Sequence, residues 1–182
     1  MSKVADASVL EALLDSWKRS NTILLNLLQV LPEGGLEAKA MEGSPSVAGM
    51  FSHMHQTRLF WLSKTAPEFA QDLTPLFRKD GDDRLAERDP GRIAQALEDS
   101  AKAIGQAVRN RLETGQPMKG QNVSYDHPVL LLQHMLWHEG YHFGQIKLAL
   151  KAMGYVMSEE EEEQAIWGLW RHEEWPSETG DQ

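Results

Sequence analysis

The chain has 182 residues, enough for one domain with a substantial core and small for two, and it is read as a single domain over 1–182. A formal net charge of −9 argues against a nucleic-acid footprint, which is normally a basic face. No run of about 18 apolar residues offers a membrane span, and the opening MSKVADASVLEALLDSWK lacks the apolar stretch of an export signal, so a cytoplasmic protein is expected.

Cysteine is absent. That removes disulfides, thiolate ligands and a cysteine nucleophile together. Any metal must be held by imidazole and carboxylate, and any thiol chemistry needs a thiol supplied from outside.

The first predicted helix runs from about Asp6 to Val30, where Leu10, Leu13, Leu14, Trp17, Leu24, Leu28 and Leu31 mark a helical period before Pro32, Gly34 and Gly35 end it. A second follows the stretch GSPSVAG, with Ser44 as its expected N-cap and Pro45 in the first turn, and reaches about Lys64. Residues 65–88 contain Pro67, Pro75 and the charged run RKDGDDR, and read as a long connection with room for a short helix. The third helix opens at Asp89-Pro90 and continues through Ile93, Leu97, Ile104, Val108 and Leu112 to Gly115. A fourth spans Pro128 to Met153 and stops at Gly154. Ser158 and Glu161 form a capping-box pattern, so a short fifth helix is expected, and the run Glu159 to Glu163 sits at the positive end of its dipole. Few stretches read as strands. The economical reading is all-α, a bundle of four principal helices.

The fourth helix carries three histidines four apart, in HMLWHEGYHFGQI from His134 to Ile146. With about 100° per residue, Leu131, Met135, Ile146, Ala149 and Met153 form the core stripe. His142 lies within that stripe, His138 at its edge and His134 on its border. Two inward imidazoles one turn apart need partners, because an unpaired buried polar group costs on the order of 1–3 kcal/mol. A divalent ion partners both at once, and the i,i+4 spacing suits its bite. His134 and His142 are about 12 Å apart along the axis, too far for all three to share one ion.

A third ligand must then come from another helix. The second helix offers His53 and His55, and its apolar stripe lies midway between them, so periodicity leaves both open. His127 and His172 read as surface residues.

His138-Glu139-Gly140-Tyr141-His142 also fits H-E-x-x-H, the zinc-protease pattern in which the glutamate activates a metal-bound water. The extended form of that pattern needs glycine and histidine where Gln145 and Leu148 stand. A substrate-aligning strand is also missing from the predicted elements. At about 100° from His138, Glu139 is expected beside the apolar stripe, where it could orient a ligand histidine or a bound water.

The stretches SVAGMFSHMHQTRLFWL and HEGYHFGQI together resemble the DinB (damage-inducible) superfamily of four-helix bundles, which includes YfiT-like proteins read as metal hydrolases. The family pattern has a histidine on the second helix eight residues before an aromatic, and H-x-x-x-H-x-G-Q-[IL] on the last long helix. His53 stands eight before Trp61, and His138, His142, Gly144 and Gln145 match the second block. The C-terminal WGLW also resembles one branch of the family, whereas Phe143 stands where many members carry arginine.

The resemblance implies a DinB-type bundle with a metal site of His53, His138 and His142, holding nickel or zinc with coordination positions open. It implies a metal-dependent hydrolase, or a thiol-dependent S-transferase or isomerase using a low-molecular-weight thiol, acting on a small-molecule substrate. It also implies a homodimer. The alternative is a non-catalytic stress-response or binding module with structural histidines. The pocket mouth is expected along residues 65–88, with Arg58, Trp61, Tyr141 and Gln145 around it.

Overall fold

The computed structural model describes residues 3–81 and 83–171. His172 lies outside them. The chain is mostly helical, with α1 Lys3–Gln29, α2 Val47–Thr65, α3 Pro90–Thr114, α4 Val129–Ala152 and a short α5 Glu159–Ala165. Two short strands, β1 Phe77–Asp80 and β2 Asp83–Ala86, pair antiparallel as a hairpin between α2 and α3. No helix among the described residues is long and apolar enough to cross a membrane.

Local chemistry sets these boundaries. Asp89 accepts from the Arg92 N–H and precedes Pro90, so α3 starts with a capped, preorganised turn. It ends at Gly115, whose φ of 70° is the left-handed conformation that glycine adopts without strain. The Ser158/Glu161 capping box forms as expected and starts α5. Helix α2 begins two residues later than expected. Ser46 accepts from the Gly49 N–H and caps it, while the Ser44 hydroxyl is used by the Met41 N–H in the preceding loop.

The hairpin corrects the reading of residues 65–88 as a connection without strands. Beyond a short 3-10 turn at Pro67–Phe69, Asp80 pairs with Asp83, and Gly81 supplies φ 60° at the turn. Of the eight residues in its strands, FRKD and DRLA, five are charged, and the three apolar ones, Phe77, Leu85 and Ala86, sit at the hairpin's open end. The strands therefore carry no apolar alternation to announce them.

Helix α3 packs along α1 and α2, and α4 packs along the same two. Their shared interior is divided. One apolar cluster includes Leu24, Leu27, Phe51, Met54, Leu97 and Ile146, and the other Trp17, Leu62, Ile104, Val108, Leu131 and Met135. On each long helix a buried polar residue sits between the members of the two clusters: Asn21 on α1, Arg58 on α2, Ser100 on α3 and Glu139 on α4. Met153, expected in the core stripe of α4, instead follows the last turn and is exposed.

Candidate metal centre

Helix α2 brings His53 to face His138 and His142 on α4. The Nε2 atoms of His53 and His138 lie 3.1 Å apart. The ring centroids are 5.0 Å apart for His53–His138, 4.8 Å for His53–His142 and 4.6 Å for His138–His142. One nitrogen from each ring can be chosen so that all three lie within 4.8 Å of one another. Nitrogens bound at about 2.0–2.1 Å to one zinc-like ion stand roughly 3 Å apart, so the donor set and its spacing fit a divalent cation.

The site is poised in the protonation state that a cation needs. Partial burial, with the neighbouring His142 and His53 rings, pushes His138 down to about 4. His53 is lowered by burial first, then by the His142 ring and the Arg84 guanidinium. Burial also lowers His142, against a hydrogen bond to Gln145 that works the other way. All three imidazoles are therefore neutral at pH 7. The Gln145 Oε1 accepts from His142 Nδ1 at 2.7 Å, which leaves Nε2 of that ring as the free lone pair. His138 Nδ1 is buried without a hydrogen-bond partner.

Two residues apart on a helix, side chains diverge by about 200°. His55 accordingly points away from His53 and is fully buried, with Nε2 donating to the Thr74 carbonyl at 2.9 Å and Nδ1 beside Ser100 Oγ at 3.2 Å. His134 is also outside the cluster. Its Nδ1 accepts from Tyr125 Oη at 2.8 Å, and its ring packs edge-on to Trp61 at 5.2 Å. Burial raises the Tyr125 phenol to about 12, which keeps it a donor. His127 is exposed and accepts from the Val129 N–H.

Glu139 does not reach a histidine of the cluster. It is buried in the middle of the fold and makes a two-pronged ion pair with Arg58. The glutamate of an H-E-x-x-H protease must face the metal-bound water; here that carboxylate is committed elsewhere. Arg58 is likewise no part of a pocket mouth, being wholly buried with Nη1 donating to Asn21 Oδ1, the Leu97 carbonyl and Ser100 Oγ. Tyr141 is exposed, with its ring 5.1 Å from that of His142.

A cleft of about 990 Å³ opens against His53 and His142. One wall is the hairpin, through Phe77, Arg78, Arg84 and Leu85, as the position of residues 65–88 led us to expect. The opposite wall is the start of α2 and the loop before it, including Lys39, Ser46 and Gly49. That second wall had no signal in sequence beyond being a loop. The turn dipeptide Asp80-Gly81 between two charged runs was the available pointer to the first.

Residues 1–169 match the family model described as the DinB family. No curated protein and no solved structure matches the chain.

Proposed function

The chain belongs to the DinB family, and from that premise we propose that it is a divalent-metal-dependent enzyme acting on a small molecule, with His53, His138 and His142 as the metal ligands. The observation that carries the reading is the convergence of three neutral imidazoles, from two helices, on one space at the wall of a cleft. Nickel or zinc suits an all-imidazole set. When bound with coordination positions open, such an ion lowers the pKa of a water or holds a thiolate, so the reaction is a hydrolysis or a transfer to a low-molecular-weight thiol. The protein's own part is to keep the rings unprotonated by burial and to fix the His142 ring through Gln145. We read the four long helices as the bundle of DinB type, whose packing holds α2 and α4 in the register that forms the site.

The outer face of α4 supports the expected homodimer. Leu130, Trp137, Tyr141 and Leu148 are all exposed, Trp137 at 81%, and recur within about 40° of one another around the helix. A second copy covering this stripe would bury it next to His142.

Metal analysis of the purified protein tests the central claim. One nickel or zinc ion per chain is expected, lost in His53→Ala and kept in His55→Ala. The reverse pattern, or no stoichiometric metal after loading with either ion, would overturn the ligand assignment.

A further inference from the structure

The cleft beside the histidines is cationic in a chain that is otherwise acidic. Lys39, Arg78, Arg84 and Arg88 line it, against Glu37 alone among carboxylates, while the whole chain carries a formal net charge of −9. Arg88 and Glu37 pair with each other at 3.7 Å, and both are exposed, so that pair largely neutralises itself. Neither Lys39 nor Arg78 makes an ion pair within 4.0 Å among the described residues, and the carboxylate that acts on Arg78, Glu87, is already paired with Arg92. Arg84 is presented by the hairpin, with its guanidinium 3.8 Å over the Phe77 ring. Stacking holds a guanidinium by its face and leaves the N–H donors on its rim free. Helix α2 also begins at this cleft, through Ser46 and Gly49, and adds the positive end of its dipole.

We propose that this cleft is a subsite for an oxyanion, a carboxylate or phosphate group of a small-molecule substrate, bound by Arg84, Arg78 and Lys39 beside the three-histidine site. The inference rests on the metal-centre reading for its claim that the anion belongs to a substrate. Arginine forks match carboxylate and phosphate oxygens two at a time, and such charge-assisted bonds are the strong ones. Concave walls of one sign also concentrate an oppositely charged ligand. A nucleic acid is disfavoured because only four of the chain's 18 lysines and arginines line the cleft, and the chain as a whole carries a formal net charge of −9. Two of the hairpin's charges are thereby explained: Arg78 and Arg84 line the cleft rather than a core.

The test is calorimetric titration of sodium succinate and of sodium phosphate into metal-free and metal-loaded protein, with metal content measured for each variant. At least one anion should bind the metal-free protein with a dissociation constant in the millimolar range or tighter. Arg84→Met and Arg78→Met should each weaken that binding about tenfold or more without changing metal content. Lys79→Met removes the same charge from the hairpin outside the cleft lining and should leave binding unchanged. The proposal is overturned by absence of binding to metal-free protein, by binding only to metal-loaded protein regardless of Arg84, or by equal weakening in Lys79→Met. If the chain takes up no metal while anion binding still depends on Arg84, the metal reading falls and the anion subsite stands.

Discussion

The Arg58 guanidinium and the Glu139 carboxylate meet edge to edge, Nε to Oε1 at 2.6 Å and Nη2 to Oε2 at 2.8 Å, with both side chains buried. Arg58 follows His53 by five residues on α2, and Glu139 follows His138 by one on α4. The pair therefore ties the two helices together at the level that decides whether the histidines meet. The Arg58 guanidinium also lies 4.7 Å over the Trp17 ring and reaches Asn21, Leu97 and Ser100, so one residue joins all four long helices.

Breaking a buried pair from one side strands the other charge, at about 3–5 kcal/mol. Arg58→Met should show that loss in urea unfolding, because it leaves the Glu139 carboxylate, Asn21 and Ser100 without their partner. Glu139→Gln should also destabilise, since the amide can accept only one of the two bonds and leaves the Arg58 charge buried without its counter-ion. The double variant Arg58→Met/Glu139→Met should recover part of the loss, because no charge is then left buried. If Arg58→Met unfolds at the same urea concentration as the parent, the pair does not hold the two helices together.

This layer marks where sequence reading stops. The helices were legible because capping residues, glycine stops and a 3.6-residue apolar period act locally. The inward direction of His138 and His142 followed from the same period. The partner of Glu139 did not, because an arginine beside an apolar stripe has the same signature whether it is solvated or buried. His53 and His55 flank their stripe equally, so periodicity left both open; the family resemblance pointed to His53, and the packing of α2 separates them physically, His55 toward Ser100 and Thr74, His53 toward His138. The hairpin escaped because its side chains answer to a cleft and to solvent, not to a core.

Protonation gives a second prediction. His138 titrates near 4, and His53 and His142 are also lowered from the ordinary 6.5. The unfolded chain therefore binds protons that the native state refuses as pH falls below 6.5. The sign follows: this stabilisation is complete above about 6.5 and is lost as pH falls toward about 4. Metal-free protein should lose thermal stability over that window, and His138→Gln should flatten the loss. At pH 7 these rings are mostly unprotonated already, so zinc binding should release few protons from them. Calorimetry in buffers of different ionisation enthalpy should show about one proton or fewer released per zinc, the share a metal-bound water supplies; release of two or more would show that the rings are protonated before binding.

The α4 face gives a third. Gly144 borders the stripe of Leu130, Trp137, Tyr141 and Leu148, about 20° beyond Trp137, and a Cβ added there meets nothing within 4 Å. In a lone chain Gly144→Ala should be neutral or stabilising by up to about 1 kcal/mol, because alanine is the better helix former. If a second copy packs there, the added methyl group meets the partner's surface. Light scattering should then show a dimer for the parent, and a shift toward monomer for Trp137→Glu and for Gly144→Ala. A parent that is monomeric at high micromolar concentration removes the dimer.

Gln145 supplies the last prediction. Its Oε1 accepts from His142 Nδ1 at 2.7 Å, three residues along the same helix face. That bond fixes the tautomer, so that Nε2 presents its lone pair toward His53 and His138. It also holds the ring against rotation. Losing such a partner typically weakens metal binding 10–100-fold, without removing any ligand. Gln145→Leu should therefore keep one zinc per chain at saturation but bind it about 10–100-fold more weakly in competition with a chelator. Gln145→Glu retains an acceptor, and its negative charge makes the ring more basic; affinity should hold or rise, while the His142 resonance moves to higher pH in NMR titration of the metal-free form. A purely structural role for Gln145 would lower the melting temperature of both variants and leave the zinc affinity of the folded protein where it was.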